Sequence, residues 1–131
     1  MFSTDRRRTS LGVRLHGFVD AARGVWIVVR DEPNAWLHGG ATVVVIAAGL
    51  ALDVRAADWR WLIVAISSVW VAEALNTALE RLCDAVVPER HPLIRDAKDI
   101  AAGAVLLSAA GAAVIGILVF APYLVARFAG A

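Results

Sequence analysis

Two long stretches of this sequence contain no Asp, Glu, Lys or Arg. One covers the 18 residues 35–52 and the other the 27 residues 100–126. A helix needs roughly 20 apolar residues to cross the hydrocarbon core of a bilayer, which is about 30 Å thick. A third stretch, 60–86, is mostly apolar but carries several polar side chains. We therefore predict an all-α membrane protein with transmembrane helices at 35–54, 60–86 and 97–126.

The composition excludes several classes of protein. Of the 131 residues, 60% are hydrophobic and 19% charged, and the formal net charge is +1. Such a chain is neither disordered nor a basic nucleic-acid binder, so no nucleic-acid partner is expected. The single cysteine, Cys83, cannot form an internal disulfide, and no Cys/His spacing typical of zinc occurs. We expect one domain, residues 1–131.

The segment before the first apolar stretch has the pattern of an amphipathic helix. Apolar residues recur from Leu11 to Val29 at helical spacing and share one face. Arg14, His16, Asp20 and Arg23 lie mostly on the other face. Because such a helix lies in the headgroup layer, we predict an interfacial helix over residues 10–31.

The distribution of arginine predicts the orientation in the membrane. Residues 1–34 contain six Arg, and the connection 81–99 contains three Arg and one Lys, whereas the turn 53–60 contains two Arg. Positively charged residues are enriched in cytoplasmic loops. We therefore predict that the N-terminus and residues 81–99 face the cytoplasm, and that residues 53–60 face the other side.

The middle helix carries its polar residues in one stripe. Glu73, Asn76 and Glu80 are spaced i, i+3 and i+7, and Asp84 continues the series at i+11. Counted from Trp61, Glu73 lies roughly 18 Å along the helix, and Glu80 reaches the interface. A carboxylate at that depth costs about 2.5 kcal/mol or more unless it faces protein or water. The stripe indicates a path between a membrane-embedded reactant and a water-soluble one; a packing role for Glu73 is the structural alternative.

The connection after the middle helix is also polar. Pro88 and Pro92 interrupt the helix, and we expect Asp96, Lys98 and Asp99 to open the last transmembrane helix. Acids in a first helical turn are ordinary partners of the helix dipole. Lys98 is the only lysine in the chain, and an ammonium group beside acids at a helix start suits a polyphosphate with its cation. Chance is the competing explanation for the lone lysine.

A further pair of acids, Asp31 and Glu32, precedes the first transmembrane helix. The predicted topology places this pair on the same side as Glu80 and Lys98. Two separated carboxylates can hold Mg²⁺, which keeps several waters and takes phosphate oxygens of a substrate. The sequence has no GxxxxGK[ST] loop and no protein-kinase signature set. The residues alone thus indicate an interfacial acid–base site beside a cation and phosphate site of another kind.

Four segments carry the most specific motifs: GFVDAARGVW, RDEPNAWLH, EALNTALERLCD and HPLIRDAKDIAAGAVLL. Together they resemble the prokaryotic diacylglycerol kinase family, which includes the undecaprenol kinases, from residue 14 to residue 123. The form HPLxxxAKDxAAGAVLL is followed by GxxxF-x-P at Gly116, Phe120 and Pro122. This combination is more similar to the undecaprenol kinase branch.

The resemblance implies a homotrimer of three-helix subunits, each with a surface helix, whose active sites are shared between neighbouring subunits. It places the protein in the bacterial cytoplasmic (inner) membrane. It implies transfer of the γ-phosphoryl group of ATP, with Mg²⁺, to the hydroxyl of undecaprenol or diacylglycerol. The products are then undecaprenyl phosphate or phosphatidic acid, and the branch resemblance favours undecaprenol.

The resemblance also implies roles for residues at the lipid end of the site. Glu73 is the expected general base and Asn76 its neighbour, and Glu32 and Glu80 are the expected Mg²⁺ ligands. A lipid alcohol is a poor nucleophile, and a buried carboxylate can take its proton as the P–O bond forms. A cation and Lys98 would neutralise charge on the γ-phosphoryl group.

Other residues are implied at the nucleotide. Lys98 and Asp99 are the expected contacts to the phosphates and the sugar, and Glu89 and His91 are expected along the nucleotide. Arg14 and Asp20 fall at further nucleotide positions of the family. Their residue types differ from the enterobacterial form, so no role is assigned to them.

Two other interpretations compete with a kinase. In a transporter or proton-conducting subunit, Glu73 would be a relay, which requires acids across the whole membrane; residues 61–72 contain none. In a purely structural membrane protein, the glycines of the last helix would be close-packing positions, as they are expected to be in any case. These are Gly103, Gly111 and Gly116. That interpretation leaves the acids and Lys98 without a purpose.

Overall fold

A computed structural model describes residues 11–87 and 89–129. Within them the chain forms four helices and no strand: α1 (Leu11–Asp31), α2 (Pro33–Ala51), α3 (Ala56–Val86) and α4 (Pro92–Ala129). Helices α2, α3 and α4 are each long and apolar enough to cross a membrane. The predicted all-helical class with three candidate spans is confirmed. Residue 10 of the predicted surface helix, Pro88 and the side chain of Arg14 lie outside the described parts of the chain.

Helices α1 and α2 are separated by a single extended residue. Glu32 has φ −99° and ψ 119°, and Pro33 is the first residue of α2. A residue before proline is driven out of the helical region, while proline itself fits the first helical turn. The Glu32 side chain makes no capping hydrogen bond. Its carboxylate is therefore placed at the α1–α2 junction without being used to end either helix.

The end of α1 is attached to α3 by an ion pair. One terminal nitrogen of Arg81 lies 2.9 Å from Asp31 Oδ2, and the neighbouring Arg30 also contacts this carboxylate. The guanidinium groups of Arg30 and Arg81 lower the pKa of Asp31 to about 2. Asp31 therefore serves as an anchor between two arginines on the surface.

The turn between α2 and α3 is a compact helix C-cap. Asp53 adopts φ 49°, in the left-handed region. The amide of Val54 donates to the carbonyl of Gly49 at 3.0 Å, and that of Asp53 to Leu50 at 3.3 Å. These two bonds form a Schellman motif, which satisfies the last carbonyls of α2 and reverses the chain. The first span consequently ends at Ala51, before the predicted residue 54.

The last helix begins earlier than the sequence analysis expects. It starts at Pro92, so Asp96, Lys98 and Asp99 lie in its second turn rather than opening it. His91 precedes the helix, and its Nδ1 accepts a hydrogen bond from the Leu93 amide at 3.2 Å. The helix is interrupted between Val86 and Pro92, as expected. Pro92 itself begins α4, because proline at the first position has no amide that the helix needs.

Helix α3 lies between the others and packs most closely against α4. A small apolar cluster of Val54, Leu62 and Val119 joins them at the α2–α3 turn. At the same end, the Tyr123 hydroxyl donates to Asp58 Oδ2 at 2.6 Å and accepts from the Arg55 amide at 3.1 Å. These contacts set how α4 lies along α3.

Much of the apolar surface is not covered by this chain. On α1 the apolar side chains Leu15, Phe18, Val25 and Trp26 are exposed, as a helix in the headgroup layer requires. On α4 a Cβ added at Gly103, Gly111 or Gly116 would meet no atom within 4 Å. Contacts within the described chain therefore do not involve close packing at these glycines, and the expectation that they are close-packing positions stays a prediction.

Candidate active site

The polar stripe of α3 faces the inside of the chain at one end and water at the other. Buried polar side chains in the described residues are Glu73, Asn76 and Thr77. The Glu73 side chain is 1% exposed, Glu80 is half-buried and Asp84 is exposed. Glu73 therefore faces protein rather than lipid, as its cost in hydrocarbon requires.

A histidine of α2 lies against the buried Glu73. The distance from His38 Nε2 to Glu73 Oε2 is 3.7 Å, and the His38 side chain is 13% exposed. Neither carboxylate oxygen of Glu73 has a hydrogen-bond partner among the described residues. A buried carboxylate with vacant lone pairs is costly in a fold, and such groups are typical of reactive sites.

Hydrogen bonds hold α2 in register with α3 next to this pair. The Trp70 indole N–H donates to Thr42 Oγ1 at 3.1 Å, and the Thr42 hydroxyl donates to the carbonyl of His38 at 2.7 Å. Trp70 lies one turn before Glu73 on α3, and Thr42 lies one turn after His38 on α2. This chain fixes which residue of α2 meets Glu73.

The next residues of the stripe are hydrogen-bonded to each other. Asn76 Nδ2 donates to Glu80 Oε1 at 3.0 Å. The Asn76 carbonyl Oδ1 is buried without a partner in the described structure. The Asn76 amide group thus orients the Glu80 carboxylate. Its Oδ1 stays available to accept a hydrogen bond from another group.

Two further acids lie within electrostatic range of Glu73. They are the two predicted metal ligands, Glu32 from the α1–α2 junction and Glu80 from α3, and both act on Glu73 as like charges. No three His, Cys, Asp or Glu side chains of the described residues form a complete metal cage. Mg²⁺ commonly takes only one or two carboxylates, together with waters and phosphate oxygens.

The four residues expected at the nucleotide line a single polar cavity. Its volume is about 780 Å³, and it lies between the end of α3 and the start of α4. Glu89, His91, Lys98 and Asp99 all contribute to its wall. The family resemblance predicted a common role for these four residues, of which Glu89 and His91 precede α4 and Lys98 and Asp99 lie in its second turn.

Two pairs of oppositely charged side chains in this cavity contact each other. The ammonium group of Lys98 contacts Asp84, and Arg95 Nε lies 3.7 Å from Asp99 Oδ2. His91 uses Nδ1 to accept from the Leu93 amide, which places the proton of the neutral ring on Nε2. A ligand that enters this cavity must compete for Lys98 with Asp84.

Glu80 connects the two parts of the site. Its charge acts on Glu73 on one side and on Lys98 on the other. Glu80 therefore lies within electrostatic range of both the buried acid Glu73 and Lys98 of the polar cavity.

An apolar groove leads to the buried end of the site. It lies between α2, α3 and α4, with a volume of about 570 Å³. Its wall is almost entirely aliphatic and aromatic, with His38 and Thr42 at the end near Glu73 and Phe120 and Leu124 toward the other end. The volume and apolar lining of the groove suit part of a lipid tail.

The model of the family described as prokaryotic diacylglycerol kinase matches residues 19–120. The chain belongs to the prokaryotic diacylglycerol kinase family. This confirms the resemblance and makes the protein a lipid kinase that uses ATP and a lipid alcohol. The proton-relay alternative is not favoured by this membership.

Relatives of this lipid kinase include proteins named undecaprenol kinase and proteins named diacylglycerol kinase. The undecaprenol kinase of Bacillus subtilis is 36% identical over 117 residues, which cover 89% of this chain and 95% of that protein. The diacylglycerol kinase of Synechocystis is 38% identical over 103 residues, 78% of this chain and 59% of that protein. That of Escherichia coli K12 is 33% identical over 86 residues, 66% of this chain and 68% of that protein.

The sequence analysis did not identify one residue of the candidate site, His38, and one contact, between Asp84 and Lys98. His38 was overlooked because the first apolar stretch was defined by the absence of Asp, Glu, Lys and Arg, which ignores histidine. A titratable ring six residues after Glu32, within an apolar helix, was the available signal. The pairing of Asp84 with Lys98 could not be found from spacing, because it depends on how α4 lies against α3.

Proposed function

We propose that this lipid kinase transfers the γ-phosphoryl group of MgATP to the hydroxyl of undecaprenol. The single observation that carries the proposal is the position of Glu73, buried at the end of an apolar groove and connected through Glu80 to a cavity containing Lys98. A lipid hydroxyl can approach Glu73 from the membrane while the triphosphate stays in water.

Glu73 is proposed as the general base. Its two oxygens have no hydrogen-bond partner in the described structure, so one of them can accept the proton of a lipid hydroxyl. As that proton moves to Glu73, the hydroxyl oxygen bonds to the γ-phosphorus. The bond from the γ-phosphorus to the β–γ bridging oxygen breaks, and ADP leaves with the electron pair. Asn76, one turn away, would orient Glu80 and offer Oδ1 as an acceptor.

Mg²⁺ is proposed to be held by Glu32 and Glu80. The fit rests on the donor set: two carboxylates from different elements, both near Glu73, with one of them oriented by Asn76. Carboxylate oxygens with room for waters and phosphate oxygens suit Mg²⁺. When bound, the ion would neutralise charge on the triphosphate during transfer.

The nucleotide is proposed to occupy the polar cavity. Lys98 would leave Asp84 for the phosphates, since an ammonium group gains more from a triphosphate than from one exposed carboxylate. Asp99 would contact the sugar, and Glu89 and His91 would lie along the nucleotide. All four line the cavity wall, which supports their common assignment.

Undecaprenol is proposed as the lipid because the Bacillus subtilis relative named for it matches nearly the whole of this chain. Diacylglycerol is the competing acceptor. The proposal includes a homotrimer in the bacterial cytoplasmic membrane, with the N-terminus and the active site facing the cytoplasm. The arginine distribution supports this orientation.

The test is transfer of ³²P from γ-labelled ATP by the detergent-solubilised protein, with undecaprenol and diacylglycerol supplied together. Undecaprenyl phosphate should carry most of the label, and none should form without Mg²⁺. Glu73→Gln should lower kcat by orders of magnitude, and Glu80→Gln should shift the Mg²⁺ titration to higher concentrations. Asp53→Asn, which removes an acid from the distant α2–α3 turn, is the matched control and should change neither.

Each part of the proposal has its own contrary result. Label mainly in phosphatidic acid would overturn the choice of undecaprenol. Full activity of a folded Glu73→Gln protein would remove Glu73 as the base. An unchanged Mg²⁺ titration for Glu80→Gln would remove Glu80 as a ligand.

A further inference from the structure

We propose that His38 is a positioning residue for phosphoryl transfer, acting through the carboxylate of Glu73. The inference rests on the proposed role of Glu73 as general base. In the reacting complex, His38 Nε2–H donates to Glu73 Oε2. Oε1 is thereby left to accept the proton of the lipid hydroxyl.

The geometry around Glu73 carries this inference. His38 Nε2 lies 3.7 Å from Oε2, slightly beyond hydrogen-bond length, and no other side chain of the described structure bonds either oxygen. Catalytic hydrogen bonds are often long without substrate and shorten in the reacting complex. A general base must keep its carboxylate in one orientation, so that one oxygen faces the hydroxyl. A hydrogen bond from His38 to the other oxygen would hold that orientation.

The position of His38 between groove and acid supports the same role. His38 lines the apolar groove and contacts Glu73 on its other side. A lipid whose tail lies in the groove would bring its hydroxyl past the imidazole to reach the carboxylate. The ring therefore limits the directions from which the hydroxyl can approach Oε1.

The backbone at His38 is held in place independently of the ring. Thr42 donates to the His38 carbonyl, and Trp70 donates to Thr42. Because these bonds do not involve the imidazole, replacing the ring leaves the α2–α3 register supported. Loss of the ring therefore tests its action on Glu73 rather than the packing of the helices.

The experiment compares His38→Gln and His38→Leu with the wild-type protein. The leucine variant should lose about ten- to hundredfold in kcat, with the KM for lipid and the Mg²⁺ titration changed less than about threefold. Glutamine can still donate, so its kcat should lie between leucine and wild type. His16→Gln, on exposed α1, is the matched control and should behave as wild type.

The combination with Glu73→Gln separates this inference from the proposed function. Because His38 acts only through Glu73, adding His38→Leu to Glu73→Gln should cause no further loss. Wild-type kcat for His38→Leu, or equal losses of kcat in both His38 variants, would overturn the role of His38. An active Glu73→Gln protein would instead overturn the base assignment itself.

Discussion

Asn76 donates a hydrogen bond of 3.0 Å from its side-chain amide to the Glu80 carboxylate. This bond joins the buried part of the α3 stripe to its water-exposed part. Hydrogen bonds to charged groups contribute about 1.5–3 kcal/mol. Loss of the Asn76–Glu80 hydrogen bond should therefore measurably weaken the binding of a ligand by Glu80.

Asn76→Ala should raise the Mg²⁺ concentration at half-maximal activity by about tenfold or more, since a tenfold change corresponds to about 1.4 kcal/mol. The measurement is a Mg²⁺ titration of kinase activity at saturating ATP and lipid. Thr77→Ala is the matched control, because Thr77 is also buried on α3 but has no hydrogen-bond partner in the described structure. Identical titrations for Asn76→Ala and wild type would argue against orientation of Glu80 by Asn76.

Gly49→Ala should destabilise the protein by about 1–3 kcal/mol, through overpacking. A Cβ at Gly49 would lie 2.6 Å from Cζ2 of Trp59, closer than carbon atoms can approach. The free energy of unfolding in detergent is the measurement. Gly40→Ala, on the same helix with open space around it, should cause no loss. If Trp59→Leu does not relieve the effect of Gly49→Ala, the clash is not its cause.

Asp53→Gly should stabilise the α2–α3 turn by about 0.5–1 kcal/mol, because glycine occupies the left-handed region without a Cβ penalty. Asp53 has φ 49° at the C′ position of the Schellman motif. Asp53→Val should destabilise, since β-branched residues tolerate this region worst. Unfolding in detergent again measures the effect, and equal stabilities of the glycine and valine variants would contradict the assigned conformation.

Asp31→Asn and Arg81→Gln should each loosen the end of α1. The ordinary pKa of an aspartate is about 3.9, and that of Asp31 is about 2 in the folded chain. The attachment is therefore fully present above about pH 4 and is lost as pH falls through about 2. Between pH 5 and 8, hydrogen exchange of the amides of residues 27–31 should accelerate in both variants.

The double variant should exchange no faster than either single one, because the two residues act as one pair. Asp20→Asn, an exposed acid on α1, is the control and should exchange as wild type does. Unchanged exchange in Asp31→Asn would show that α1 is held by other contacts, such as burial of Val28.

Features that depend on local pattern were predictable for this chain. Uncharged runs indicate which segments can cross a membrane, because charged side chains are costly in hydrocarbon and a helix satisfies its own backbone hydrogen bonds there. The stripe of Glu73, Asn76 and Glu80 follows from helical spacing alone. The start of α4 was misjudged because proline both breaks helices and begins them, and the sequence does not say which.

The family motifs allowed individual residues to be selected, but not their partners. Spacing along α3 identifies Glu73 as a buried acid, yet not the residue of α2 that faces it. His38 meets Glu73 because Thr42 and Trp70 fix the register of two helices that are joined by a short turn. The contact between Lys98 and Asp84 likewise depends on the packing of α4 against α3.

The amino-acid sequence by itself determined the membrane-crossing helices, the family and the set of acids on α3. The helices and the acids are properties of single segments, since hydrophobicity and helical periodicity act over neighbouring residues, and the family is read from motifs along the chain without any contact between them. Only the tertiary structure decided that His38 contacts Glu73, that Glu80 acts on both Glu73 and Lys98, and that Gly49 lies under Trp59. Those relationships arise from side chains of different helices filling the same space, and packing between distant segments is not encoded in the spacing of either one.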